Sequence, residues 1–129
     1  MDASALVKLV LRERESAALA SAIPVAAEVA TSEVAVVELT RSVRVAGLED
    51  ELEQELIELF DGCTLVAVDS HVVRTAAALT SETLRPLDAI HLASALVVAP
   101  DVMYVYDCQL ARAARALGMR VEAPGASHA

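Results

Sequence analysis

The residues of this chain best suited to chemistry are acids, and the hardest to explain otherwise is Asp88. It lies in Arg85-Pro86-Leu87-Asp88-Ala89-Ile90-His91-Leu92-Ala93-Ser94-Ala95-Leu96-Val97. Pro86 suits a first helical turn, where its missing N–H costs nothing, and good helix formers follow it. Leu87, Ile90, Leu92, Ala93, Leu96 and Val97 leave almost no polar stripe, so burial on most sides is expected. An ionised carboxylate buried in that first turn costs several kcal/mol unless it is paired, hydrogen-bonded or metal-bound. The helix N-terminus returns only about 0.3–1 kcal/mol of this. Asp88 therefore calls for a partner from elsewhere in the chain.

Asp2, Glu38 and Asp107 are the other candidates. A set of hard oxygen ligands with few His or Cys suits Mg²⁺ or Mn²⁺ rather than Zn²⁺. An ion of that kind lowers the pKa of bound water and offsets charge on a phosphate. The acids are scattered along the chain, so spacing alone does not make them converge. Each also has a plainer role. Asp107 and Asp69 both suit helix N-caps, and for Asp69 the cap is the preferred reading. Glu38 fits a solvated pair with Arg41 or Arg44, and Asp2 fits an inert terminus. His91, one turn after Asp88, suits a base or ligand, and more simply a satisfied, partly buried histidine. Ser4 suits either support of a metal-bound carboxylate or the start of a helix. Cys63 and Cys108 read as small core or half-exposed residues.

The elements that must position these side chains follow from periodicity. A first strand would have to end at Asp2, with an apolar helical run over 5–11 after it. A second helix is expected over 12–22 and a weak strand over 24–29. A helix capped by Thr31-Ser32-Glu33 runs to about Val45 and carries Glu38 at its middle. Gly47 ends it. An acidic helix follows over 48–60, with Leu48, Leu52, Leu56, Leu59 and Phe60 as its buried stripe. Residues 64–68 predict a strand buried on both faces, as in parallel sheets. Helices over 71–79, 86–97 and 108–117, strands over 101–106 and 119–122, and a frayed tail over 124–129 complete the order. Strands alternating with helices imply a three-layer α/β/α domain with a mainly parallel central sheet, occupying 1–123. Ligands bind outside the carboxyl ends of such strands, which singles out Asp2, Asp69 and Asp107.

The 129 residues suffice for one domain with a real core. They are 56% hydrophobic but contain no Trp, one Phe and two Tyr, so the core is aliphatic. No apolar run approaches the ~20 residues of a membrane span, and the N-terminus lacks the layout of a signal peptide. Two cysteines without metal-ligand spacing make a reduced cytoplasmic setting the default. The net charge of −9 argues at first sight against nucleic acid. Seven of the 19 acids, however, lie between Glu49 and Asp61, and the rest stand at 12 against 10 bases. A basic rim is therefore compatible with the total.

Four segments together resemble the PIN-domain family, and within it the VapC-like toxins of bacterial type II toxin–antitoxin modules. They are Asp2-Ala3-Ser4-Ala5-Leu6-Val7-Lys8-Leu9 and Ser32-Glu33-Val34-Ala35-Val36-Val37-Glu38-Leu39. Leu87-Asp88-Ala89-Ile90-His91-Leu92-Ala93-Ser94-Ala95-Leu96 and Tyr106-Asp107-Cys108-Gln109-Leu110-Ala111-Arg112-Ala113-Ala114 complete the set, continuing through Gly118-Met119-Arg120-Val121. The resemblance implies an α/β/α fold and a ribonuclease that cuts single-stranded RNA, often a tRNA or an rRNA loop, with Mg²⁺ or Mn²⁺. It implies that Asp2, Glu38, Asp88 and Asp107 form the metal-binding catalytic site, with Ser4 in support. It also implies a cognate antitoxin and a homodimer. Two departures stand out. Only Met1 precedes Asp2, where the family usually has a short apolar strand, and Val105 stands where a Thr or Ser is frequent.

A phosphoacceptor receiver domain is also small, acidic and Mg²⁺-dependent, but it needs a Lys near the end of a late strand. The only Lys here is Lys8, near the start. An inactive PIN-like binding or scaffold domain is the other alternative, and intact acids at all four positions count against it. Lys8, Arg12, Arg14, Arg41, Arg44, Arg74, Arg85, Arg112 and Arg115 are available to line an RNA groove, contacting phosphates without reading sequence. With aromatics so scarce, recognition by RNA shape is the better expectation. The acidic helix should face away from RNA. Reversing two of its charges is thus expected to leave cleavage barely altered, and a large gain or loss in a cleavage assay would overturn that placement.

Overall fold

Apolar runs at helical spacing set the element order in the computed structural model, which describes residues 1–127. The elements are α1 (Ala3–Val10), α2 (Ser16–Ala22), β1 (Val29–Ser32), α3 (Val34–Val45), α4 (Glu53–Asp61), β2 (Cys63–Val66), α5 (Ser70–Ala78), α6 (Pro86–Val98), β3 (Met103–Tyr104), α7 (Cys108–Ala116) and β4 (Val121–Glu122). β1 pairs with β2 and β3 with β4, both in parallel. The α/β alternation and the parallel pairing are as expected, but among the described residues the strands form two separate pairs. No helix among those residues is long and apolar enough to cross a membrane.

Residues 1–4 join the two pairs. Among the described residues the link to β1 is made by Met1: its ammonium donates to Ala30 O at 2.8 Å, and Thr31 Oγ1 donates to Met1 O at 2.7 Å. Peptide groups of alternate residues in a strand point to opposite sides. The Glu33 amide bonds Val66 O, so Ala30 and Ser32 direct theirs away from β2. Met103 and Val105 bond the β4 side, so Tyr104 and Tyr106 also face inward. Between the pairs lies a cavity of about 600 Å³, lined by Met1, Ala30, Ser32, His91 and Tyr104 among others.

The helices close over this frame in three apolar clusters. Leu92, Met103, Val105, Leu110 and Ala114 form one between α6, β3 and α7. Ala5, Leu19 and Tyr104 form a second, and Leu6, Ala35 and Leu39 a third, against which Leu56, Leu59 and Phe60 of α4 pack.

Several elements depart from expectation. Pro24 starts a turn closed by the Ala27 amide on Pro24 O, so β1 begins only at Val29. Gly47 takes a left-handed φ of 73° and the chain turns through 49–52, so the acidic helix starts at Glu53 and exposes Leu48. β2 has a partner on one side only, and Thr64 and Leu65 are exposed where burial on both faces was expected. α6 buries His91, Leu92, Ala93 and Ser94 but exposes Leu87, Leu96, Val97 and Val98 at its ends. The expected frayed tail is anchored where it begins: the Tyr106 hydroxyl donates to Pro124 O at 2.7 Å, and Gly125 (φ 81°) sits against Ala18. Residues 128 and 129 of that tail lie outside the described residues.

Leu39 is fully buried where α3 meets α1. Leu39→Ala is expected to lower unfolding free energy by about 2–5 kcal/mol. Urea denaturation followed by circular dichroism checks this, and a loss under 1 kcal/mol (roughly the cost of Ile→Val) would contradict the packing described.

Candidate functional site

Three helices begin on an aspartate whose Oδ1 accepts the amide three residues on. Asp2 accepts from Ala5 at 3.2 Å, Asp69 from Val72 at 2.9 Å and Asp107 from Leu110 at 2.9 Å. The local logic is the same, because each chain leaves an extended segment and needs a side-chain oxygen for the orphan amides of the next helix. Asp69 does this and no more among the contacts seen. Asp2 and Asp107 do more.

Asp2 is 4% exposed. Its Oδ1 also accepts the Ser4 hydroxyl at 2.7 Å, and Ser4 Oγ in turn accepts the Tyr106 amide at 3.0 Å. Ser4 thus supports a candidate carboxylate and ties it to the residue before Asp107. Desolvation raises the Asp2 carboxyl above its ordinary value, while Ser4, His91, the Ala5 amide and the Met1 ammonium hold it down. Burial also lowers the Met1 ammonium, against the opposing pull of Asp2 and Cys63. So the buried carboxylate is Asp2, at the position that read as a candidate for an inert terminus.

Asp88 is half-buried, its side chain 16% exposed, and its partner is local. Arg85 Nε donates to Asp88 Oδ2 at 3.4 Å, and Arg85 Nη2 stands 3.7 Å from Asp107 Oδ2. One guanidinium therefore joins carboxylates from the first turn of α6 and the cap of α7. Glu38 pairs with neither Arg41 nor Arg44; its Oε1 lies 2.6 Å from His91 Nε2. His91 is buried and satisfied, and close enough to Asp2 to act on its charge.

Two sets of contacts result: Asp2 is tied through Ser4 to the Tyr106 amide, one residue before Asp107, which Arg85 joins to Asp88; and Glu38 is tied to His91, which shares α6 with Asp88. Across these sets no three His, Cys, Asp or Glu side chains, among the described residues, stand close enough to hold an ion as they are. The donor chemistry nonetheless fits a hard divalent cation, since all four acids offer carboxylate oxygen and two of them already share a cation. Lys8, a candidate for an RNA groove, is committed elsewhere: its ammonium pairs with Glu15 at 2.8 Å and Glu13 at 3.5 Å and stacks over the Tyr106 ring.

Sequence reading missed the Glu38–His91 pair, which joins two helices 53 positions apart and leaves no local trace. It also missed the Arg85 bridge, for which the i,i+3 spacing to Asp88 was a usable signal.

This chain belongs to the PIN domain family, which it matches over residues 1–116. It is similar to ribonuclease VapC35 of Mycobacterium tuberculosis, 39% identical over 97% of this chain and 96% of that protein. Ribonuclease VapC46 of the same organism is 38% identical over 96% of this chain and 95% of its own, and ribonuclease VapC47 is 33% identical over 98% and 96%.

A carboxyl whose folded pKa is raised is penalised where it is charged in both states. For Asp2 the penalty is absent below its ordinary value of 3.8 and grows as pH rises through the folded value. Asn caps helices as well as Asp does. Asp2→Asn in chelator-treated protein is therefore expected to raise the melting temperature at pH 7 by roughly 2–6 °C, a gain that disappears toward pH 3.5 (about the ordinary range of a carboxyl). Thermal melts across pH check this, and a loss of stability at pH 7 would contradict it.

Proposed function

We propose that this chain is a metal-dependent endoribonuclease that cleaves RNA phosphodiester bonds, in a tRNA or an rRNA, as the toxin of a toxin–antitoxin pair. The observation that carries this reading is that, in a PIN-family chain, Asp2 is tied through Ser4 to the residue before Asp107, Arg85 spans Asp107 and Asp88, and Glu38 is held by His91 on the helix that bears Asp88. The names of the relatives, ribonucleases VapC35, VapC46 and VapC47, support it. The nuclease domain is assigned to residues 1–123, with 124–129 as a tail, and works in the cytoplasm.

Asp2, Asp88, Asp107 and Glu38 would hold Mg²⁺ or Mn²⁺, each through a carboxylate oxygen. When bound, such an ion supplies a water of lowered pKa and a counter-charge for the phosphate. The chain's own residues do the positioning. The caps engage Oδ1 of Asp2 and Asp107, so the cap bond itself leaves Oδ2 of each unused. Ser4 orients Asp2 against the Tyr106 amide. His91 fixes one oxygen of Glu38 and leaves the other available to a water.

The antitoxin partner would cover this acidic site. Exposed apolar Leu96, Val97 and Val98 in the last turn of α6, with Val73 on the neighbouring α5, support a homodimer as surface that a second copy could cover.

The test is cleavage of total bacterial RNA with Mn²⁺, with Mg²⁺ and with EDTA, beside Asp88→Asn. Cutting is expected only with a divalent ion, and Asp88→Asn is expected to lower it by orders of magnitude while keeping the fold. A folded Asp88→Asn protein with wild-type cleavage would remove Asp88 from the site. Metal-independent inactivity of the wild type would favour a binding domain without catalysis.

A further inference from the structure

We propose that Arg85 is a built-in counter-cation: it occupies the outward oxygens of Asp88 and Asp107 that a divalent ion would take, and on displacement it engages RNA phosphate. This rests on the ribonuclease reading and adds a residue to it.

Asp107 has one oxygen committed to the Leu110 amide, so Oδ2 alone is available outward, and that is the oxygen facing Arg85 Nη2 at 3.7 Å. On Asp88 the same guanidinium takes Oδ2 through Nε at 3.4 Å. Among the described residues Arg85 is the only Lys or Arg in ion-pair contact with any of the four acids. His91, the other basic side chain in contact with one of the four acids, is committed to Glu38.

The arrangement is suited to exchange rather than to structure. The Arg85 side chain is 78% exposed, and Arg85 precedes α6 without capping it through its side chain. Pairs this exposed contribute little to stability. A guanidinium spreads one positive charge over a plane, whereas Mg²⁺ or Mn²⁺ brings two charges to a point and prefers carboxylate oxygen. The ion therefore displaces Arg85 at a small cost in apparent affinity. A displaced Arg85 remains tethered at the edge of the acid pair, where its planar fork matches two phosphate oxygens. It would thus contribute to holding RNA beside the ion, while protecting the acid pair from mutual repulsion when no ion is bound.

The experiment titrates MnCl₂ by calorimetry into chelator-treated wild type, Arg85→Ala and Arg85→Lys without RNA, and then measures KM and kcat on an RNA that the wild type cuts, at saturating Mn²⁺. Arg85→Ala is expected to bind Mn²⁺ two- to fivefold tighter, as loss of a pair worth up to about 1 kcal/mol allows. Its KM for RNA is expected to rise several-fold with a smaller change in kcat. Arg85→Lys, which keeps the charge without the fork, should fall between on both readouts. Equal or weaker Mn²⁺ binding by Arg85→Ala overturns the competition, and an unchanged KM overturns the phosphate contact. A wild type that binds no Mn²⁺ overturns the metal site itself and Arg85's role with it. A wild type that binds Mn²⁺ alongside an indistinguishable Arg85→Ala overturns only the role of Arg85.

Discussion

The relay from Asp2 through Ser4 to the Tyr106 amide is the contact on which the arrangement of this protein depends. β1 and β3 belong to separate parallel pairs, and among the described residues no strand lies between them to bond their inward-facing peptide groups. Residues 1–4 serve those groups one at a time. The Met1 ammonium takes Ala30 O, with the Thr31 hydroxyl donating to Met1 O beside it, and Ser4 Oγ takes the Tyr106 amide on the other side. Asp2 stands between, fixed by both the helix it caps and the hydroxyl it accepts. A buried polar network is sound only when its members are satisfied, and among the described residues no buried side-chain polar atom lacks a partner. The position of the most buried acid and the joining of the two strand pairs are thus one structural fact.

The same local device serves different ends at Asp2, Asp69 and Asp107. All three cap a helix with one oxygen. What separates them is what else each carboxylate meets, which depends largely on neighbours distant in sequence. Asp107 meets Arg85 from the start of α6; Asp2 is enclosed by Met1, Ser4 and the field of His91. Asp69 follows the edge strand β2, where the surroundings are open. A cap residue becomes a site residue when the fold brings a second acid or a cation to its free side.

This also explains what was legible in the sequence. Most helices, the caps at Asp69 and Asp107 and the parallel pairing follow from local rules, and they were readable. Burial was harder, because it depends on what lies across from a residue. The apolar run of α6 suggested burial on most sides, yet only its middle is fully covered, so Asp88 in the first turn is half-buried beside a local Arg. Asp2 had no apolar run before it to signal enclosure, and its burial comes from β1, β3 and α6 closing around residues 1–4. The Glu38–His91 pair is invisible locally for the same reason. β2 looked interior because Leu65, Val66 and Val68 are apolar, but an edge strand can carry apolar residues when a helix covers only part of it.

Gathering four acids costs a fold stability, and this protein limits that cost with its own donors rather than by exposing the acids to water. Amides take one oxygen of Asp2 and of Asp107, His91 takes one of Glu38, and Arg85 spans Asp88 and Asp107. The rest of the net charge is of a different kind. The acids around α4 lie on an exposed face, where water screens them and they cost the fold little. Any cation entering the site has to exchange with partners already present, and the easiest to displace is the one most exposed. The amides of the caps are held by the helices and do not move; the guanidinium is tethered only by its own chain. On the proposed reading, the acids would be released to a ligand in order, beginning with the pair that Arg85 bridges.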